Sequence, residues 1–162
     1  MEISADYIST NKELWNKRTA VHVTSDFYDV PGFLSGKTSL KEIELALLGD
    51  VMRQDILHLQ CHFGQDTLSL ARMGARVTGI DLSDAAIHQA NEFTRQLQLE
   101  NSARFICCDL YSAPTYLTGT FDRVFTSYGT IGWLPDLDKW AAVVNHFLKS
   151  GGYFIMADFH PV

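Results

Sequence analysis

The sequence predicts an α/β chain, a mainly parallel sheet of about five strands, doubly wound by helices and preceded by a helical cap. Three observations carry this. Short apolar runs of four to six residues recur between longer stretches with helical periodicity. The runs are near-continuously apolar, as strands covered on both faces are. Residues 1–50 have a different texture, polar and aromatic, with Tyr7, Trp15, His22, Phe27, Tyr28 and Phe33.

Taken in order, Thr10 with Glu13 three residues on has capping-box spacing and predicts a short helix from about Asn11 to Arg18. Pro31-Gly32 marks a turn. Ser39 with Glu42 predicts a second capped helix, with Leu40, Ile43, Leu47 and Leu48 inward and Gly49 at its end. Ile56–Gln60 reads as the first strand, and Thr67–Met73 as a helix stopped by Gly74. Arg76–Ile80 is β-rich. Ser83 caps a helix over 84–98 whose stripe is Ile87, Ala90, Phe93, Thr94 and Leu97. Arg104–Cys108 and Asp122–Ser127 are the next strands. Leu137–Leu148 is a helix closed by Lys149-Ser150-Gly151-Gly152, and Tyr153–Ala157 is the last strand. The division is a cap over 1–50 and a core over 51–162, together one domain.

Composition narrows the function classes. Of 162 residues, 46% are apolar, and 13 Lys and Arg against 19 Asp and Glu leave a formal charge of −6. That balance disfavours a basic nucleic-acid surface. No run approaches the roughly 18 apolar residues of a membrane span, and the N-terminus lacks a secretory pattern. Three Cys, two of them adjacent, argue against a disulfide framework and for a reducing, cytoplasmic setting.

Parallel sheets bind ligands beyond the carboxyl ends of their strands. There the sequence places Gln60-Cys61-His62-Phe63-Gly64, then Asp81-Leu82, then Asp109-Leu110, then Ser127-Tyr128-Gly129. An acid after the second strand, some way past a tight turn, suits the two ribose hydroxyls of an adenosine cofactor, because a carboxylate accepts both hydrogens. Asp109 can accept from an adenine amino group, with Leu82 and Leu110 sandwiching the ring.

The stretch ILHLQCHFGQDTLSLARMGARVTGIDLSDAAIHQA resembles the first two motifs of class I S-adenosylmethionine-dependent methyltransferases. Cys108-Asp109-Leu110, FDRVFTSYGTIGWL and LKSGGYFI continue the resemblance in the family's order over about residues 54–158. The LHLQCHFGQDTLSLA wording is similar to a bacterial branch of that superfamily. The resemblance implies a Rossmann-like fold, S-adenosylmethionine as cofactor and methyl transfer to a small-molecule acceptor. It implies cofactor contacts at Gln60, Cys61, His62, Gly64, Asp81, Leu82, Asp109, Leu110, Tyr128 and Gly129. It also implies a seven-stranded sheet, whereas this chain supplies about five strands. A C-terminal hairpin is therefore expected to be missing, and the chain is expected either to be the N-terminal portion of a longer protein or to pair the edge of its fifth strand with another copy or chain.

Where the family has acidic-x-Gly-x-Gly-x-Gly, this chain has His58, Gln60, His62 and Gly64. Two side chains thus stand where glycine lets the backbone approach a ligand. The loss of glycines motivates a second reading, a nucleotide-binding module without turnover. A nicotinamide-dependent oxidoreductase is a third, although the loop lacks GxGxxG. His58, Cys61 and His62 offer nitrogen and sulfur ligands, but no second cluster completes a metal site; strand-end packing or cofactor contact is the preferred reading. Cys107 and Cys108 read as small buried hydrophobes. Trp15, Phe27 and Tyr28 are candidates for a lid, and Arg18 for a bidentate partner of a cofactor carboxylate. Trp133 suits either an acceptor pocket or packing. His22 and His160 are candidate bases.

Overall fold

The computed structural model describes residues 5–159. Five strands, β1 (Asp55–Leu59), β2 (Arg76–Asp81), β3 (Ala103–Cys107), β4 (Phe121–Ser127) and β5 (Leu148–Ala157), form one sheet in the order β3-β2-β1-β4-β5. Every neighbouring pair is parallel. The order reverses on either side of β1, the switch point at which such sheets open a crevice.

Helices cover both faces. They are α1 (Ala5–His22), α2 (Val30–Leu34), α3 (Glu42–Leu48), α4 (Gln65–Arg72), α5 (Asp84–Gln96), α6 (Ala113–Tyr116) and α7 (Leu137–Phe147). One core gathers Ile56, Val77, Ala103 and Phe125 from the strands with Phe33, Leu48, Leu68, Leu70 and Phe93 from α2 to α5. The other gathers Leu57, Leu59, Ile80 and Val124 with Ala113, Val143, Val144 and Phe147. Adjacent strand residues thus enter opposite cores, which is why the strands read as unbroken apolar runs. The N-terminal segment shares the first core through Val30, Phe33, Leu40 and Leu48.

The expected order of strands and helices holds, with local corrections. The first helix is much longer than Asn11–Arg18, and Thr10 lies inside it. Tertiary contacts fix it: Ser83 Oγ donates to Asn16 Oδ1 at 2.6 Å, Asn16 Nδ2 donates to Asp84 Oδ1, and Lys12 pairs with Asp84 at 3.1 Å. Ser39 is not a cap either. Lys41 stands at the N-cap of α3, its N–H donating to Glu44, while the Ser39 hydroxyl donates to Asp66 at 2.6 Å. Ile43 and Leu47 are exposed and Glu44 is buried, so the inward stripe of α3 differs from the expected one. Cys107 is exposed on the edge strand, and only Cys61 and Cys108 are buried. Residues 149–152 belong to β5 and do not merely close α7, because the strand restarts pairing across a register shift opposite Phe121 and Arg123. The outer strand β5 leaves Tyr153 and Met156 exposed. Among the described residues no helix is long and apolar enough to cross a membrane.

Candidate functional site

The carboxyl ends of the strands open into a cavity of about 430 Å³, a volume in the range of small-molecule sites. Its floor is the loop after β1. Gln60, His62 and Gly64 all have positive φ, at 52°, 51° and 79°. The loop therefore keeps a left-handed conformation at alternate positions although only one is glycine. Each non-glycine residue so held costs on the order of 1 kcal/mol, and such strain concentrates at functional sites. Gly64 could not be another residue: a Cβ there would stand 2.6 Å from the Phe105 ring. The surviving glycine thus lets β3 pack beneath the loop.

The loop is tied down by hydrogen bonds. Cys61 N–H donates to the Ile80 carbonyl at 2.9 Å, and His62 N–H donates to Asp81 Oδ2 at 2.8 Å. Ser83 N–H donates to the other carboxyl oxygen of Asp81 at 2.9 Å. The Leu82 N–H also acts on this carboxyl, and a carboxylate has acceptor capacity beyond these three donors. Burial pushes the Asp81 carboxyl above the usual range, against the pull of these N–H groups. Asp109 caps the short helix Leu110–Ser112, with Oδ1 accepting from Tyr111 and Ser112. Its local role is therefore real, and it also lines the cavity beside Leu82 and Leu110.

The side chains of Gln60 and His62 turn sideways. Gln60 Nε2 donates to the Thr130 carbonyl at 3.0 Å, leaving Oε1 buried without a partner. His62 Nε2 meets His22 Nδ1 at 2.9 Å, and its own Nδ1 is buried and unpartnered. Burial drives the His62 imidazole down to about 3, with His22 adding to the effect. The pair is neutral at pH 7, one ring donating to the other. The Cys61 thiol is pushed well up by burial, which leaves it no thiolate character.

The N-terminal aromatics roof the cavity. Trp15 packs edge-on against His62 at 5.4 Å and Trp133 at 5.5 Å, and Tyr28 against Phe63 at 4.9 Å. Trp15, Phe27, Tyr28 and Trp133 all line the space. Arg18 lies over the Trp15 and Trp133 rings and is not among the lining residues. His22 sits behind His62, also off the lining. His160 lies outside the described residues.

Sequence reasoning passed over Ser39, Lys41 and Asp66 as site residues; in the structure they line the cavity together with His58, Ser127 and Tyr128. His58 is buried against Phe125, with Nδ1 at 2.8 Å from Thr67 Oγ1 and Nε2 at 3.4 Å from Ser127 Oγ. Burial pushes it down to about 4. Tyr128 has φ 36° and Gly129 φ 71°, and Gly129 N–H donates to Asp158 at 2.7 Å. Asp66 opens the first turn of α4 just past the strained loop, which was the available signal. Among the described residues no group of three or more His, Cys, Asp or Glu is placed to hold a metal ion.

Comparison with known proteins agrees with this geometry. A methyltransferase domain model matches residues 56–152. A sterol 4-C-methyltransferase of Caenorhabditis elegans is 23% identical, covering 98% of this chain and 47% of its own length. An uncharacterised methyltransferase of Synechocystis is 30% identical over 78% of this chain and 57% of its own. The chain thus spans about half the length of these relatives. Among solved structures, DhpI in complex with S-adenosylhomocysteine superposes with a TM-score of 0.67 at 22% identity, covering 96% of this chain and 71% of that one. The glycopeptide N-methyltransferase MtfA complexed with S-adenosylmethionine superposes with a TM-score of 0.60 at 21% identity, covering 70% and 51%. These structural likenesses establish the Rossmann-like fold. The domain match spans the sheet from β1 into β5, with the loops after β1, β2, β3 and β4, and the chain belongs to the methyltransferase domain family.

Proposed function

We propose that the chain binds S-adenosylmethionine in this cavity and transfers its methyl group to a small-molecule acceptor. The observation that supports this most is the Asp81 carboxyl at the end of β2, which lines the cavity and is held only by backbone N–H groups, with no cation paired to it among the described ion pairs. Two vicinal ribose hydroxyls match that arrangement. Asp109, with Leu82 and Leu110 beside it, suits the adenine. The orphaned Gln60 Oε1 and His62 Nδ1 border the loop where the methionine part would lie, and an ammonium or carboxylate there would answer their unmet hydrogen bonds.

The cofactor, when bound, supplies an activated methyl group. The protein's part is alignment and exclusion of water. Asp81 and the backbone N–H groups around it hold the loop after β1 in its left-handed path. Trp15, Tyr28 and Trp133 close the roof, and the His22–His62 contact pins α1 to that loop. In this reading residues 1–50 are the lid over a core of 51–162. Arg18 holds the roof by stacking between two Trp rings. The three free thiols fit a reducing cytoplasmic compartment. The exposed outer edge of β5 is the surface for self-association.

Calorimetric titration with S-adenosylmethionine and S-adenosylhomocysteine tests the reading. Saturable binding of both, with no binding of NADH or NADPH, is the expected result. A well-folded chain with affinity for neither adenosyl compound would overturn it.

A further inference from the structure

Where the end of β4 meets α4, the cavity wall carries a carboxylate with no ion-pair partner among the described residues. Asp66 lines the space, with Oδ1 accepting from Ser39 Oγ at 2.6 Å and Oδ2 from Ser127 Oγ at 3.0 Å. No ion pair among the described residues includes it. The neighbouring His58 is neutral at pH 7, since burial holds its imidazole at about 4. Lys41, which also lines the cavity and is in no ion pair among the described residues, places its ammonium over the Tyr128 ring at 4.3 Å. Lys37 is already paired with Asp29 at 2.9 Å.

A second acid lies behind the wall. Glu44 is 1% exposed, and its Oε1 has no hydrogen-bond partner. Burial pushes the Glu44 carboxyl up and the nearby Tyr128 hydroxyl pulls it back, while burial and the Glu44 carboxyl push Tyr128 up to about 12. Two serine hydroxyls do not neutralise a carboxylate. They hold both its oxygens in place, one donor on each, in a side chain that lines the cavity. The wall beside it is aromatic, with Tyr128 and Phe159 stacked at 4.9 Å.

We infer that Asp66 is the anchor and proton acceptor of an acceptor subsite that takes an aromatic or similarly flat molecule through a hydroxyl or amine donor and rejects carboxylates. This rests on the methyl-transfer reading. The step balances as follows for a hydroxyl. The O–H bond breaks and its proton passes to Asp66; the oxygen takes the methyl as the carbon–sulfur bond breaks, that bond's electron pair staying on sulfur. A carboxylate acceptor has no proton to give and meets an unpaired negative charge. A charge-assisted hydrogen bond at such a site accounts for about 1.5–3 kcal/mol, a preference of tenfold or more.

The test uses phenol, benzylamine and benzoate as probes, measured by saturation-transfer NMR on the whole chain with and without S-adenosylhomocysteine. Phenol and benzylamine are expected to bind at least tenfold more tightly than benzoate. Asp66→Asn is expected to erase the benzylamine preference while leaving S-adenosylhomocysteine affinity within twofold. Benzoate binding as well as benzylamine, or an unaltered preference in the folded variant, overturns the inference. If the variant does not fold, the discrimination by the unaltered chain decides alone. Failure of the methyl-transfer reading is seen separately, as absence of S-adenosylhomocysteine binding.

Discussion

The two ends of the sheet use the same residue type in opposite ways. At the amino ends of the strands, Asp55 and Asp122 are fully engaged. Asp55 pairs with Arg76 at 2.7 Å and with Lys149 at 3.3 Å; Asp122 pairs with Lys149 at 2.9 Å and accepts the Asp55 N–H. Hydrogen bonds and nearby cations hold both carboxyls below the usual range. At the carboxyl ends, Asp81, Asp109 and Asp66 have no cationic partner among the described ion pairs and accept only from N–H and hydroxyl groups. Asp81 is pushed up by burial, not down by a partner. The first set closes the sheet. The second lines the cavity and, in the proposed function, receives the cofactor and acceptor. An acid's role is thus read from what already satisfies it.

Acid titration should separate the two ends most strongly. His58 sits at the carboxyl end of β1 with its folded value depressed to about 4 by burial. Its folded value lies below the unfolded one, so the unfolded chain binds the extra proton. Stability is full above pH 6.5 and falls as the pH drops toward 4, by about 3 kcal/mol for this group. His62 adds to the same fall. Asp55 and Asp122, also depressed, lose their contribution only below the unfolded carboxylate value near pH 4. Urea unfolding at stepped pH should therefore show a first loss between 6.5 and 4 that His58→Gln reduces. A flat profile across that window would mean that His58 is not buried neutral.

Asp81→Ala is the next largest effect. Losing two charge-assisted bonds should weaken S-adenosylhomocysteine binding about 100-fold, read by calorimetry. Unchanged affinity would return Asp81 to a purely structural role in the loop. The smallest effect is expected at the other end. Asp55→Asn should lower the thermal midpoint slightly, less so in high salt, and leave cofactor affinity untouched, because a largely exposed pair contributes little. A large change in affinity there would break the division between the two ends.

Much of this was legible in the sequence. Apolar runs placed β1 to β4 to within a residue or two, since burial on both faces makes most of their central residues apolar, whereas the start of β5 was missed by five residues. Ser83 was readable as a cap because its partner, the Ala86 N–H, is three residues away. The same logic failed for Thr10 and Ser39. Asn16 and Lys12 hold α1 on α5, and Asp66 captures the Ser39 hydroxyl, both contacts between residues far apart in the chain. Asp81 and Asp109 could be singled out by position after a strand. Asp66 follows the loop after β1, which is a weaker signal, because its meaning depends on its having no ion-pair partner among the described residues, and that is a statement about space.

The sequence by itself thus determined the alternation of strands and helices, the family, and the acids at the ends of β2 and β3. These depend on local periodicity and on residue order, which the chain carries directly. Only the tertiary structure decided that Gln60 and His62 keep a left-handed loop without glycine, that His22 reaches His62, and that Asp66 stands unpaired in the cavity wall. Each of those depends on which distant groups surround a residue once the two cores close, and burial and pairing exist only then.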